Sequence, residues 1–245
     1  MTTKTGGRLQ ERLAGNDFLI TAEFVPGVDV NADALKTELA ALPRPFDAIV
    51  VAGGDISPLA AASLLANAGV EPVLGLLTRD RNRIALLSDV RGAAALGINN
   101  VLCLVGDHQS LGETPEAAGT FDVDPTQLVQ MLSANGSTVF VGAEAYPALR
   151  PLPLSLLDLR KKVAAGARFV ITRPVADIAV FSEWLEAVRA LGLQGQVAII
   201  AGVQPGEASA QTIEQIRRTE GVRGVHVYWG GSLGAAAAAV KQSGL

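Results

Sequence analysis

Asp17-Phe18-Leu19-Ile20-Thr21-Ala22-Glu23-Phe24 is a short apolar run that ends in a carboxylate. Its length and β-branched content predict a buried parallel strand, with Glu23 at the C-terminal end. Outward from it, the chain alternates short apolar runs with longer Ala/Leu-rich segments of helical spacing. Strands are expected at residues 18–23, 48–52, 72–77, 100–105, 139–143, 169–172, 197–201 and 225–228. Helices are expected to begin near Asn31, Pro58, Asn82, Asp124, Leu154, Ile178, Ala208 and Ser232. Asn31 and Ser232 suit N-caps, and Pro58 and Pro125 suit a first helical turn. A short helix over residues 8–13 would close the bottom. Eight strand–helix units predict one domain over residues 1–245, a single (β/α)8 TIM barrel of the α/β class. An open doubly wound sheet would want a glycine-rich phosphate loop after the first strand, and Phe24-Val25-Pro26-Gly27-Val28 is not one.

Composition narrows the function classes. Of 245 residues, 49% are hydrophobic and 18% charged, enough apolar surface for a large core. A net charge of −4 gives no electrostatic reason to bind nucleic acid or an anionic membrane. The single cysteine, Cys103, lies in an apolar run and has no internal partner, which points to a reducing cytoplasm. Met1 to Gly15 is polar and charged rather than signal-like, and the apolar runs are too short to span a bilayer. The two histidines, His108 and His226, have no second histidine or cysteine at metal-ligand spacing, so no metal is expected.

The C-terminal rim of a barrel is where its loops carry chemistry. Glu23 is there by position. Asp107 follows Gly106 at the end of the fourth strand, where it reads either as a carboxylate brought close to a ligand or as a turn former. Gly106 to Val123 is the longest loop. Gly230-Gly231-Ser232 after the eighth strand is open between a simple turn and a phosphate site. Trp229 beside it could stack on a flat ligand, whereas Trp184 has the spacing of a packing residue.

Several segments, in their order and spacing, resemble 5,10-methylenetetrahydrofolate reductase. They are Thr21-Ala22-Glu23-Phe24-Val25-Pro26, Thr78-Arg79-Asp80-Arg81-Asn82-Arg83, residues 97–108 ending in Gly106-Asp107-His108, Phe121-Asp122-Val123-Asp124, Tyr146-Pro147 and residues 156–167. The resemblance implies a (β/α)8 barrel that binds FAD, or FMN, at its rim and passes a hydride from NAD(P)H to the folate. Glu23 matches the general acid and Asp107 the aspartate between flavin and pterin. Gly106, Asp107, Tyr146, Asp158, Lys161 and Lys162 match flavin-contacting positions. For the two lysines a solvated helix face is the competing reading. Arg173 stands where a pterin-binding glutamine is expected; with five donors and no acceptor it suits an anionic ligand. Ser155 stands where a flavin-contacting aspartate is common, and the unit between strands seven and eight is short.

These features support a reductase acting on methylenetetrahydrofolate, with flavin-free use of NAD(P)H left open. The alternative is a non-catalytic folate-binding protein or partner subunit of one-carbon metabolism; a homo-oligomer is also open. A phosphate-binding barrel lyase built on residues 230–234 ranks third, for want of a Schiff-base lysine at a strand end.

Overall fold

The computed structural model describes residues 7–15, 17–43, 46–108, 110, 114–134 and 139–245. Its eight strands are β1 (Leu19–Glu23), β2 (Ala48–Val51), β3 (Pro72–Leu77), β4 (Asn100–Leu104), β5 (Phe140–Ala145), β6 (Phe169–Pro174), β7 (Ala198–Val203) and β8 (Val222–Val227). They pair in parallel in chain order, and β1 pairs with β8 to close the barrel. A short helix α1 (Arg8–Ala14) precedes β1. The others are α2 (Ala32–Ala40), α3 (Pro58–Asn67), α4 (Arg83–Ala95), α5 (Pro125–Ser133), α6 (Leu152–Ala165), α7 (Ile178–Ala190), α8 (Ser209–Arg218) and α9 (Leu233–Gln242). The expected single (β/α)8 barrel is the observed fold. Of the long loop at residues 106–123, residues 109 and 111–113 lie outside the described ones. Among the described residues no helix is long and apolar enough to cross a membrane.

Local chemistry explains most of the boundaries. Asn31, Asn82, Asp124 and Ser232 each accept a backbone N–H from the first turn of the helix they open. Asp124 and Gln127 form a reciprocal capping box. The expected strands five and eight were displaced because polar or small residues interrupt their apolar runs. β5 continues through Glu144, and β8 begins three residues early, through Arg223 and Gly224. Gly224 is required there, since a Cβ would lie 2.4 Å from the Leu19 carbonyl oxygen.

Alternation along the strands divides two cores. Phe140, Phe169, Ile171, Ile200, Leu19 and Val50 fill the barrel interior, where Leu9 and Leu13 of α1 join them from below. The expected bottom-closing helix is therefore a hydrophobic plug. Asp47 fastens it: one carboxylate oxygen accepts from Arg12 of α1, the other from the Ile20 N–H at 2.7 Å. Outside the strands, Trp184 is fully buried, stacks near Phe181 and donates its Nε1–H to Ser155 Oγ at 2.9 Å. Trp184 is thus packing, as its spacing suggested.

Phe169 carries the lower interior. It is fully buried, lies 5.2 Å from the Phe140 ring in a stacked pair, and occupies the space that a Cβ on Gly142 would need. Phe169→Ala should cost about 3–5 kcal/mol, measured as a lower urea midpoint with an unchanged denaturant slope.

Candidate active site

A cavity of about 980 Å³ opens at the C-terminal ends of the strands, lined in part by Glu23, Asp107, Glu144, Tyr146, Arg173 and Tyr228. That volume is at the upper end of small-molecule sites. The four rim residues that sequence reasoning places together, Glu23, Asp107, Tyr146 and Arg173, all reach it, although they come from four different strand ends. Gly106 also lines it, with a positive φ of 88°.

Glu23 faces inward because Leu19, Thr21 and Glu23 alternate onto one side of β1. Its Oε2 accepts the Trp229 N–H at 2.9 Å. Burial raises its carboxyl above the ordinary range, the Trp229 N–H and the Arg173 charge pull downward, and Glu144 and Asp107 reinforce the rise. A carboxyl of this kind retains a proton further toward neutral pH than a solvated glutamate does. It can both steady the β8 rim and donate a proton into the cavity.

The densest polar network surrounds Glu144, which sequence reasoning did not single out. Its Oε2 accepts the Tyr146 hydroxyl at 2.7 Å and its Oε1 the Arg173 Nη1 at 3.3 Å. Arg173 Nη2 reaches Asp107 Oδ1 at 3.5 Å. Beneath them, Lys162 Nζ donates to the Glu144 carbonyl at 2.8 Å and to Asp158 Oδ2 at 2.7 Å, 4.7 Å from the Tyr146 ring centre. Lys162 is therefore buried inside the β5–α6 corner, while Lys161 is exposed on α6. Ser155 ties the same corner, donating to the Tyr146 carbonyl at 2.6 Å. The signal for Glu144 was present: Phe140, Gly142 and Glu144 share the inward register of β5, and a charge at the last of these must face the cavity.

Two segments of the family pattern meet at the cavity wall. Arg79 is bonded to its neighbour Asp80 at 2.5 and 2.6 Å, and its carbonyl accepts the Thr120 N–H. Arg83 grips Asp122 through its backbone N–H at 2.8 Å and its guanidinium, which drives the Asp122 carboxyl down to about 2. These contacts fix the second half of the long loop against the β3–α4 turn.

The rim after β8 follows the simpler reading of its glycines, a bend into α9 with Gly231 at a φ of 93°. Ser232 caps the Ala235 N–H and Glu38 Oε1 accepts the Leu233 N–H at 3.1 Å, so a carboxylate of α2 already occupies the start of α9. A phosphate there would meet that charge, which removes the support for a phosphate-binding lyase. Trp229 lies edge-on to Phe24, 5.6 Å between centres, and packs with the outer core. Its amide, rather than its ring, serves the site.

His226 forms part of the cavity floor. Its Nδ1 lies 3.0 Å from the Thr21 hydroxyl, which is itself 3.2 Å from the Val225 carbonyl. Burial holds the imidazole down to about 3, so it is neutral at physiological pH.

Comparison with known proteins gives the family and the fold. The family model described as "Methylenetetrahydrofolate reductase" matches residues 8–227. The chain belongs to the methylenetetrahydrofolate reductase family. "Methylenetetrahydrofolate reductase 2" of Saccharomyces cerevisiae is 33% identical over 180 residues, covering 68% of this chain and 29% of the yeast protein. "Probable methylenetetrahydrofolate reductase (NADPH)" of Caenorhabditis elegans is 28% identical over 167 residues, 65% of this chain and 24% of that one. The chain thus spans less than a third of the length of either relative. Solved barrels share the fold at low identity: a tryptophan synthase from M. tuberculosis (TM-score 0.61, 19% identical, 97% of this chain and 98% of that one) and 2,3-dimethylmalate lyase (0.62, 14%, 96% and 82%). Within the methylenetetrahydrofolate reductase family, then, this barrel presents Glu23, Asp107 and Glu144 to one cavity.

The buried imidazole sets a pH dependence. The unfolded chain takes up a proton near 6.5 that folded His226 refuses until about 3. Its contribution is therefore complete above 6.5 and falls as pH drops through that window. His226→Gln should flatten this part of the urea midpoint–pH curve; an unchanged slope would assign the acid sensitivity to other groups.

Proposed function

We propose that this barrel reduces 5,10-methylenetetrahydrofolate to 5-methyltetrahydrofolate with a hydride from NAD(P)H. The observation that supports it most is Glu23: a half-buried carboxyl, raised by burial, in the same cavity as Asp107. In this reading Glu23 gives its proton to the folate N10 as the bond from the methylene carbon to N10 breaks. The carbon stays on N5 as an iminium, and the hydride adds to it, so one proton and one hydride are consumed. Asp107, exposed at the rim, accepts N–H groups of the pterin, and Arg173 faces the anionic part of a ligand. A cytoplasmic setting belongs to this reading and rests on the single, buried thiol of Cys103.

A flavin, FAD or FMN, would supply the carrier that takes the hydride from the nicotinamide and delivers it to the folate. The cavity fits its ring: Leu77, Leu104 and Ile171 supply apolar walls, and Gly106 a stretch of backbone without a side chain. The fit to a diphosphate tail is poorer. Among the described lining residues the cations are Arg79 and Arg173, and both already face carboxylates. Lys162 is committed to Asp158. These pairings also favour the second reading, a folate-binding partner subunit without its own flavin chemistry.

Two measurements separate the readings. FAD and FMN should quench the tryptophan fluorescence to similar extents and with weak, similar affinities; no saturable quenching by either at high micromolar concentration would favour the partner subunit. Glu23→Gln keeps the shape but removes the transferable proton. Folate reduction should fall by about 10²–10⁴-fold while reduction of added flavin by NAD(P)H survives. Folate turnover within a few-fold of the parent would leave Glu23 as a rim cap alone.

A further inference from the structure

Glu144 is a buried carboxylate that the proposed reaction does not use. It reaches the cavity from β5, half-way around the barrel from β1, and binds the Tyr146 hydroxyl at 2.7 Å and Arg173 at 3.3 Å. Arg173 is half exposed and spans from Glu144 to Asp107, so one guanidinium is shared between two carboxylates. Tyr146, with its hydroxyl on Glu144 and its ring beside Lys162, fixes the rotamer of Glu144 from the opposite side.

We propose that Glu144 is a positioning residue: by holding Arg173 and balancing its charge, it keeps Glu23 able to carry a proton. This inference rests on the reading of Glu23 as the general acid. The groups that face Glu23 support it. From β8 come the Trp229 N–H, the Tyr228 hydroxyl and the neutral imidazole of His226. β6 contributes the Arg173 cation, β5 the Glu144 anion, and the β4 rim Asp107. Arg79 and Asp80, bonded to one another, line the cavity from the β3 side, and β2 offers only Val50, Ala52, Gly53 and Gly54. If Glu144 is neutralised, Arg173 keeps only the exposed Asp107 as a counter-charge, and its less balanced charge then favours the ionised form of Glu23.

The direction follows. Removing the Glu144 charge lowers the pH at which Glu23 gives up its proton, and an acid catalyst then loses activity at lower pH. Removing Arg173 acts in the opposite sense, and removing both restores the balance. A residue that merely packs the β5 corner shows no such rescue.

The test uses the full chain and three variants: Glu144→Gln, Arg173→Gln and the double substitution. The Glu23 carboxyl is titrated directly by 13C NMR, its resonance assigned by loss in Glu23→Gln. Glu144→Gln should move the titration to lower pH, Arg173→Gln to higher pH, and the double variant back toward the parent. In turnover, the alkaline limb of kcat should move to lower pH in Glu144→Gln, with a loss of up to about 10-fold above neutrality, and recover in the double variant. A Glu23 titration unmoved by Glu144→Gln, or moved equally in the double variant, overturns the proposal. Absence of folate turnover in the parent chain would count against the reductase reading alone, because the carboxyl titration does not depend on it.

Discussion

The end of β5 must bury two opposite charges, and much of the site follows from how it does so. Lys162 is 2% exposed and Glu144 7% exposed. A buried ion is tolerated only with near-complete hydrogen bonding, since its desolvation costs several kcal/mol. The two do not meet through their charges: Lys162 Nζ takes the Glu144 carbonyl and the Asp158 carboxylate, leaving the Glu144 carboxylate to Tyr146 and Arg173. The β5–α6 corner, further tied by Ser155 to Tyr146 and Trp184, becomes a rigid support. Arg173 rests on it, and Asp107 rests on Arg173. Geometry at three strand ends therefore depends on one satisfied buried network.

The architecture was largely legible because its signals are local. Eight apolar runs at regular spacing, each followed by a helical segment and five of these segments opened by a capping side chain, leave few alternatives to a barrel. Errors arose where tertiary pairing overrode a local interruption: Gly224 breaks an apolar run, yet the close approach of Leu19 demands a glycine there. The rim was legible in part. Glu23 and Asp107 could be placed by position, and their convergence follows from parallel closure. What could not be read was partnership. A sequence shows Lys161 and Lys162 as adjacent cations, but helical phase sends one into the corner and the other into solvent. Likewise Gly230-Gly231-Ser232 resembles an anion cradle until Glu38, nearly two hundred residues earlier, is seen to fill it.

Charge balance then decides what the cavity can accept. Its described lining holds four acidic side chains, Glu23, Asp80, Asp107 and Glu144, against two guanidiniums, Arg79 and Arg173. An anionic ligand gains from such a site only by taking a cation from an existing partner. Arg79 is held at 2.5 and 2.6 Å by the carboxylate next to it in sequence. Arg173 is held at 3.3 and 3.5 Å, by contacts near the limit of hydrogen bonding, and is half exposed. Re-pairing therefore falls to Arg173, and Asp107, the more exposed of its two carboxylates, is the one that yields.

That exchange connects ligand binding to proton transfer. Under the proposed reading, an anion that drew Arg173 outward would neutralise the charge that otherwise favours ionised Glu23, and Glu23 would hold its proton more firmly. By linkage the reverse also holds: protonated Glu23 leaves Arg173 freer to engage the anion. Arg173 is shared between Glu144 and Asp107, and under the proposed reading an anion that engaged it would leave Glu23 better able to keep its proton. Glu144 makes the exchange workable, because a buried, hydrogen-bonded carboxylate keeps one end of the guanidinium fixed while the other changes partner.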